Sequence, residues 1–405
     1  MELKLNVGKN GFSDIKKLVS HITEKNRVIK SAPERAVSAV FPINEHAKML
    51  HPDYQTMKVA DIAEHTGADA KTFTLSADKA ASFRAGQYLS VSLNIGGSIV
   101  TRPYSISSAP SLSKDGKYKI TVRRTQNGFV SDYLLSEIKV GDTLTVSEPL
   151  GNFFYEELRD SKNVIAIAGG SGITPFLSMA HAVCDGTENF DLTILYGNKT
   201  EQSILFKNEL DDISARCPRV KTVYVLSDEE KDGCEHGFIT AEIISKYAPE
   251  NKDCSVFMCG PEAMYRFAEK ELAKLGIDRK HLRRELLGVT KNVSANEDYP
   301  AECKGKTFSA AVKTNTDEKT IPVSADEPIL VAIERAGIAA PSRCRSGECG
   351  WCRSKLLSGN VYVPKENDED RRFSDKETGY IHPCATFALS DIVIEVPSTY
   401  VNPAE

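Results

Sequence analysis

Four cysteines near the C-terminus constrain this 405-residue chain more than any other feature. Cys344, Cys349 and Cys352 lie on one short loop with the spacing C-x4-C-x2-C, and Cys384 follows well downstream. Three thiolates from a tight loop and a fourth from a distant segment form the arrangement that holds a [2Fe–2S] cluster. Small residues such as Gly347 let amide groups approach the sulfurs and stabilise their negative charge. The spacing therefore predicts four metal ligands.

Two other functions compete for the same cysteines. A structural zinc site also uses four thiolates, but usually as two short-spaced pairs rather than as three plus one. The segment Cys349–Cys352 is literally a C-x-x-C sequence of the thioredoxin type, which needs no further cysteine just upstream. The presence of Cys344 and Cys384 favours the cluster over both alternatives.

Composition and charge exclude several classes of function. A net charge of −5 argues against a nucleic-acid partner, since such partners usually require a basic face. Apolar runs of about 18 residues are missing from the sequence, which predicts no integral membrane segment. The N-terminus lacks the pattern of a secretory signal, and clustered cysteines in a cytosolic protein usually bind metal or perform redox chemistry. We therefore expect a cytoplasmic location.

The hydrophobic pattern changes several times along the chain and predicts a multidomain fold. Short alternating runs predict an antiparallel β-barrel, whereas continuous apolar runs followed by helical stretches, such as 164–168, predict an α/β domain with a parallel sheet. A final α+β (β-grasp) domain should contain two strands and a helix near Ile329–Ala336. The predicted segments are a helical extension (1–55), the barrel (56–158), the α/β domain (159–288), a polar linker (289–303) and the cysteine-bearing domain (304–405).

The segment Arg102–Ser105 (RPYS) ends a predicted strand of the barrel. Its arginine can form a charge-assisted fork to a phosphate, its tyrosine offers an aromatic face and its serine offers a hydroxyl to a ring nitrogen. An Arg–Tyr pair on a strand is otherwise ordinary surface structure. Two later segments strengthen the ligand-binding interpretation: Val122–Arg123 adds a cation, and the turn Gly128–Ser131 offers backbone amides to a pyrophosphate.

A glycine-rich turn, Gly169–Pro175 (GGSGITP), directly follows the apolar run of the α/β domain. Glycines there let the backbone approach a phosphate that sits on the N-terminus of the next helix. A tight strand-to-helix turn without a ligand is the ordinary alternative. Pro175 distinguishes the segment from the usual dinucleotide fingerprint, which would carry another glycine near this point. Three further motifs follow in order: Tyr196–Thr200, which begins with YGN, then Gly237–Thr240 (GFIT) and Cys259–Met264 (CGPEAM).

Together these motifs resemble the ferredoxin–NADP reductase superfamily, and the last hundred residues resemble a plant-type ferredoxin domain, including the turn 358–361. The resemblance implies that Tyr104 packs on an isoalloxazine ring, that Ser105 bonds near its reactive N5 and that Gly128–Ser131 holds a pyrophosphate. That turn favours FAD over FMN, which some relatives use. The implied flavin-binding residues are Arg102, Pro103, Tyr104, Ser105, Val122, Arg123, Gly128, Phe129, Val130 and Ser131.

The resemblance also assigns the nicotinamide site. Cys259 would face the nicotinamide and Glu285 would supply a carboxylate near it, although a buried cysteine and a solvated helix-end glutamate are the ordinary alternatives. These two residues and Ser105 are the predicted catalytic residues. Relatives often place an aromatic residue over the flavin close to Glu285, where this chain has Leu286 and Leu287. The implied nicotinamide-binding residues are Gly170, Ser171, Gly172, Thr174, Pro175, Tyr196, Gly197, Asn198, Cys259, Gly260, Pro261 and Met264.

The implied function is electron transfer from a nicotinamide through FAD to the [2Fe–2S] cluster, and from there to a separate acceptor protein such as an oxygenase. An acceptor other than an oxygenase, and a redox sensor, remain alternatives. The choice of nicotinamide is open, because Lys199 suits the 2′-phosphate of NADPH and Glu201 suits the ribose of NADH. Relatives with this domain order favour NADH.

Overall fold

The structure, a computed structural model, describes residues 11–31, 41–250, 253–289 and 292–397. The chain divides into two compact units, Met1–Met49 and Leu50–Glu405. The first contains helices α1 (Gly11–Ser31) and α2 (Pro42–Leu50), while residues 1–10 and 32–40 of the predicted extension lie outside the described residues. None of the described helices is both long and apolar enough to cross a membrane.

The second unit opens with six described strands that form one antiparallel sheet in the order β4-β3-β6-β1-β2-β5. Alternate residues such as Phe73 and Leu75 are fully buried, which is the period-two pattern of a half-buried strand. A bridge between Ile106 and Ile120 brings the two edge strands together, so the sheet curls into the predicted barrel. Its elements are β1 (Tyr54–His65), β2 (Ala70–Ser76), β3 (Tyr88–Ile95), β4 (Ser98–Ser105), β5 (Lys117–Arg123), α3 (Phe129–Ser136) and β6 (Thr143–Ser147).

A parallel sheet follows, and its described strands lie in the order β10-β9-β8-β7-β11-β12. Along β7, Ala166 and Ala168 enter one hydrophobic core while Ile165 and Ile167 enter the other. Burial on both faces explains the continuous apolar run, and the predicted α/β fold is confirmed. Its elements are β7 (Asn163–Gly169), α4 (Thr174–Cys184), β8 (Asp191–Asn198), α5 (Lys207–Arg216), β9 (Val220–Leu226), β10 (Glu235–His236), α6 (Ala241–Tyr247), β11 (Ser255–Cys259), α7 (Glu262–Lys274) and β12 (Leu282–Arg284).

The last domain contains a mixed sheet with the described order β14-β13-β19-β15-β17, together with the pair β16-β18. The expectation of two strands was therefore too low. Three of the seven described strands have only two residues, which leave no periodic pattern in a sequence, and two others have four or five. The predicted helix near residue 329 is present. The elements are β13 (Thr307–Lys313), β14 (Glu318–Ser324), α8 (Ile329–Arg335), β15 (Ser354–Ser358), β16 (Val361–Tyr362), α9 (Lys365–Asp370), α10 (Phe373–Glu377), β17 (Tyr380–Ile381), β18 (Phe387–Ala388) and β19 (Ile392–Glu395).

The polar segment before this domain is packed rather than free where the structure describes it. Val293, Tyr299 and Cys303 are buried in a small core with Tyr362 and Phe387 of the last domain. The apolar residues of this segment are too widely spaced to form a helix or strand pattern, so the sequence does not show that they are buried. The domain boundaries drawn from the sequence stay predictions.

Replacement of Leu75 by alanine tests the barrel core. Leu75 is fully buried, so Leu75→Ala should lower the free energy of unfolding of the barrel by about 2–5 kcal/mol. Leu158→Ala is the matched control, because Leu158 is 97% exposed and its loss should change stability by about 0.5 kcal/mol or less. Urea unfolding followed by circular dichroism measures both. Equal effects of the two substitutions would show that Leu75 does not lie in a packed core.

Candidate functional site

The RPYS segment lies at the end of β4, beside the start of β3: Ser105 pairs with Tyr88, and Tyr104 pairs with Leu89. Burial raises the pKa of the Tyr104 hydroxyl, so the ring presents a neutral phenol. Arg102 is paired with Val91 of β3, and its Nη1 atom donates to the carbonyl of Thr101 at 2.7 Å. Burial, with a contribution from a second arginine of the last domain, lowers the pKa of Arg102 to about 10.

The other two predicted flavin segments also have structural roles in the barrel. Val122 is fully buried in the barrel core, so only its backbone is available to a cofactor. The Ser131 hydroxyl accepts from the amide of Thr125 at 3.1 Å and donates to the carbonyl of Gly128 at 3.3 Å, which shapes the turn that begins α3. In that turn, Phe129 is half exposed and Val130 is buried. The structure therefore assigns Ser131 a structural role in addition to the predicted one.

Arg123 connects the barrel to the glycine-rich turn of the α/β domain. It ends β5, and a Cβ atom added to Gly170 would lie 2.5 Å from its Nη1 atom. Gly170 has a φ of +54°, a conformation that favours glycine. The turn continues through a short 3₁₀ segment, Gly170–Ile173, into α4, which begins at Thr174 and Pro175. The predicted flavin cation and the predicted phosphate loop are therefore neighbours.

The glycine-rich turn packs closely on the CGP loop, because β7 and β11 are adjacent strands of the sheet. Cys259 is aligned with Ala168, and a Cβ atom on Gly172 would lie 2.0 Å from the Cys259 carbonyl oxygen. A Cβ atom on Gly169 would likewise meet Met264 at 2.7 Å and Pro261 at 2.9 Å. Glycine is needed at these positions for close packing, which is a second reason for the motif besides phosphate binding.

The YGN segment supports this turn from the neighbouring strand β8. The hydroxyl of the fully buried Tyr196 donates to the carbonyl of Gly170 at 2.9 Å and accepts from the amide of Leu205 at 3.2 Å. Gly197 and Asn198 follow it at the carboxyl end of the strand, where ligands of open α/β sheets bind. Tyr196 therefore holds the turn in place with its ring inside the core.

Cys259 is buried, with 8% of its surface exposed. Burial and the nearby Glu285 carboxyl raise the pKa of its thiol well above the ordinary value, so the group is a neutral thiol rather than a thiolate nucleophile. Tyr265 fixes the loop by accepting from the amide of Gly260 at 3.2 Å and donating to the carbonyl of Glu285 at 2.5 Å. The role of Cys259 in shaping the nicotinamide pocket stays a prediction.

Glu285 lies between the predicted nicotinamide site and the cluster loop. It is 6% exposed, and its Oε2 atom has no hydrogen-bond partner among the described residues. Its carboxyl is close enough to Cys259 to raise the pKa of that thiol. Cys344 of the cluster loop is in turn close enough to raise the pKa of Glu285. Burial first, and then Glu348 and Cys344, raise the pKa of Glu285 well above its ordinary value. The predicted catalytic glutamate is thus a buried acid rather than a solvated charge.

Three of the four cluster cysteines are buried (Cys344, Cys352 and Cys384), and Cys349 is exposed. The Sγ atoms of Cys352 and Cys384 are 3.3 Å apart. The amide of Cys349 donates to the Cys344 sulfur at 3.5 Å, and the amide of Trp351 donates to the Cys349 sulfur at 3.4 Å. Hydrogen bonds from Cys349 and Cys384 lower the pKa of Cys344 well below its ordinary value. Converging thiols with aimed amide donors fit an iron–sulfur cluster.

The cluster loop contacts the α/β domain directly. The amide of Gly288, three residues after Glu285, donates to the carbonyl of Cys344 at 3.0 Å. Between these positions Leu286 packs into the core of the α/β domain, which makes Leu287 the better candidate for covering the flavin. The covering residue stays a prediction.

Reasoning from the sequence missed three residues near this junction. Tyr88 is 3% exposed, and it lies close enough to Cys344, Cys349 and Glu285 that their charges, after burial, raise the pKa of its hydroxyl. The sequence signal that could have indicated its burial is its place at the start of the alternating run that forms β3. Glu334 and Arg345 form a buried ion pair in the last domain. Nothing in their local sequence indicates it.

Comparison with known families agrees with this geometry. Residues 58–155 match the family described as "Oxidoreductase FAD-binding domain", residues 166–270 match "Oxidoreductase NAD-binding domain", and residues 312–389 match "2Fe-2S iron-sulfur cluster binding domain". The fold and the three matched domains define a modular flavin and iron–sulfur oxidoreductase. The predicted FAD, NAD and [2Fe–2S] binding domains are therefore confirmed.

Similar proteins match over most of their length. The glycine betaine monooxygenase reductase subunit of Chromohalobacter salexigens is 30% identical, covering 81% of this chain and 91% of that protein. A subunit of the 1,2-phenylacetyl-CoA epoxidase of Escherichia coli is 29% identical, covering 84% and 97%. The structure of phthalate dioxygenase reductase has the same fold, with a TM-score of 0.61, 23% identity and coverage of 85% and 98%. The chain belongs to the ferredoxin–NADP reductase superfamily, in the group of reductases with a C-terminal ferredoxin domain.

The buried carboxyl of Glu285 predicts a pH effect on stability. Its pKa in the unfolded chain is near the ordinary 4.5, whereas the folded chain keeps the proton at higher pH. Above that value the unfolded state alone loses the proton, so wild-type stability falls by about 1.4 kcal/mol per pH unit until the folded pKa is reached. The Glu285→Gln protein has no carboxyl at this position and does not lose stability in this way. Its free energy of unfolding should therefore rise relative to that of the wild type as the pH increases.

Urea unfolding at several pH values between about 5 and 7 measures this difference, a range that begins just above the ordinary carboxyl pKa. Glu262→Gln, which removes an exposed carboxylate of α7 that pairs with Arg266, controls for the loss of a carboxylate elsewhere in the same domain. A difference between Glu285→Gln and the wild type that stays constant with pH would show that the folded carboxyl is ionised.

Proposed function

We propose that this chain is the NADH-dependent reductase of a two-component system and passes single electrons to a separate oxygenase. The observation that carries the proposal is the convergence of the three sites within one compact unit. Arg123 of the barrel lies against Gly170 of the nucleotide loop, and Glu285 and Gly288 extend from that domain to Cys344 of the cluster loop. A short path then leads from the nicotinamide site to the cluster.

When bound, the cofactors supply the electron chemistry: hydride transfer to flavin, conversion of two electrons to single ones, and their release from the cluster. The chain positions these groups. Amides of the Gly170–Ile173 turn would hold a phosphate at the start of α4. Tyr104 and Ser105 would bind the flavin ring, and the neutral Cys259 would line the nicotinamide site. Glu285 is buried and keeps its proton, so its carboxyl is neutral beside the cluster loop.

The choice of NADH is supported by the loop after β9. This loop continues as Ser227-Asp228-Glu229-Glu230, and the carboxylate of Glu229 accepts from the amide of Glu201 at 3.0 Å. The nearby Lys231 is already paired with Glu201. Lys199, directly after β8, is a cation of this edge that would suit a 2′-phosphate. The acidic run at 228–230 outnumbers it, and a ribose hydroxyl suits carboxylates, so this edge of the sheet favours NADH over NADPH.

The names of the relatives support an oxygenase as the acceptor, since one is the reductase subunit of a monooxygenase and another is a subunit of an epoxidase. We place the reaction in the cytoplasm, because all ten cysteines, each within the described residues, are unpaired, the state expected of a reducing compartment. Aerobic product formation by a purified partner oxygenase, driven by NADH and this chain, tests the acceptor. Reduction of the partner without oxygen-dependent product would instead indicate an acceptor of another class.

Substitution of a single cluster ligand in the full-length chain tests the electron path. Cys384→Ser removes one of the four thiolates, so the cluster should be lost and NADH-driven reduction of the partner should fall to background. Ferricyanide accepts electrons at the flavin, and its reduction by NADH should continue. Iron content and the two reduction rates measure the outcome.

The matched control is Cys303→Ser, which alters a buried cysteine of the same region that has no place in the cluster loop. It should keep the iron and both rates. Persistent reduction of the partner by a cluster-free Cys384→Ser protein would contradict the proposed path. Slow turnover of NADH by the wild type, even with ferricyanide, would favour a redox sensor.

A further inference from the structure

Three charged side chains meet where the barrel touches the last domain. Arg345 of the cluster loop is 1% exposed, and Glu334 of α8 is 3% exposed. They form a two-pronged ion pair, in which Nη2 lies 2.9 Å from Oε2 and Nη1 contacts Oε1. Arg102, from strand β4 of the barrel, places its Nη1 atom 3.8 Å from the same Oε2 atom. One carboxylate thus faces two guanidinium groups from two domains.

Such a group of buried charges is costly unless each charge is compensated. Each carboxylate oxygen of Glu334 accepts from Arg345, and Oε2 also faces Arg102. The backbone of Arg345 has a φ of +62°, a conformation that is uncommon for residues other than glycine. It turns the side chain back beneath the cluster loop and onto α8. A charged side chain therefore attaches the loop to the helix, in addition to the hydrophobic core that α8 shares with Cys352.

A second contact joins the same strand to the segment that precedes the cluster. The Thr101 hydroxyl donates to the Ser342 carbonyl at 3.2 Å and also contacts the Ser342 hydroxyl. Both residues are buried. Because Thr101 and Arg102 are consecutive, β4 contacts both the segment before Cys344 and the helix that anchors Arg345. The strand that carries the predicted flavin motif is thereby linked to the cluster loop on two sides.

We propose that Glu334 is a positioning residue that sets the distance between the flavin motif and the cluster loop. It holds Arg345 on one side and Arg102 on the other, so Tyr104 and Ser105, which directly follow on β4, keep a fixed separation from the cluster ligands. The inference rests on the proposed function, because transfer between two redox sites slows steeply as they move apart. Since Arg345 already neutralises Glu334, Arg102 also retains its charge for the phosphate predicted from the motif.

The test uses Glu334→Gln in the full-length protein with flavin and cluster bound. Glutamine keeps the size of the side chain but leaves two guanidinium groups without a counter-charge. We expect normal flavin and iron content and unchanged NADH–ferricyanide turnover, with the same KM for NADH. The single-turnover rate of cluster reduction should fall about 10- to 100-fold, the scale of a misplacement near 1 Å. Hydrogen exchange should increase in residues 98–105 and 340–346.

Glu327→Gln is the matched control. Glu327 belongs to the same domain, just before α8, and pairs with Arg335, with Nη2 and Oε1 2.7 Å apart, away from the barrel strand. Its loss should change neither cluster reduction nor exchange in β4. Glu334→Asp, which keeps the charge on a shorter side chain, should restore part of the lost rate.

An unchanged rate and unchanged exchange in a cluster-loaded Glu334→Gln protein would overturn the inference. If the Glu334→Gln protein loses its cluster, Arg102→Gln provides the test. This substitution breaks the contact between Arg102 of the barrel and Glu334 of the last domain, and it leaves the Arg345–Glu334 pair intact. Exchange in residues 329–346 must then rise, and unchanged exchange would overturn the inference. Failure of the wild type to reduce its own cluster with NADH would instead defeat the proposed function, while the exchange experiment would still report on the contact.

Discussion

The hydrogen bond between the Gly288 amide and the Cys344 carbonyl is the contact on which the arrangement of the redox sites depends. It fixes the first cluster ligand against the end of the nucleotide-binding domain, two residues beyond Leu286. The barrel secures the same loop from the other side through Thr101 and Ser342. Since the loop is held by both neighbours, the last domain is not a tethered carrier that must find its electron donor by diffusion. Fixed geometry replaces an encounter between two proteins.

Burial around this contact determines the charge states of the site. Cys259, Glu285 and Tyr88 all have raised pKa values because burial disfavours their charged forms. Three neutral groups thus surround a region where negative charge arrives with the electrons. Neutral side chains beside an anionic cluster are lower in electrostatic free energy than ionised carboxylates, phenolates or thiolates would be, because like charges repel strongly where little water screens them.

The features that were predictable from the sequence depend on neighbours along the chain. The spacing of Cys344, Cys349 and Cys352 is local, and the apolar run that became β7 has a pattern within a few residues. By contrast, Thr101 and Ser342 are 241 positions apart, and neither carries a pattern that names its partner. The same holds for the burial of Glu285, which follows strand β12 and would be solvated at most strand ends. The three shortest strands of the last domain escaped prediction because two residues define no period.

Of the four cluster cysteines, all of which the structure describes, Cys349 alone is exposed. The neighbouring Trp351 is also exposed, and the guanidinium of Arg343 lies 3.6 Å from its ring centre. As a cluster ligand, this exposed residue would give electrons a route to the acceptor, and it would give dioxygen and peroxide the same access. The lifetime of the cluster in air should therefore depend on how well the acceptor covers Cys349.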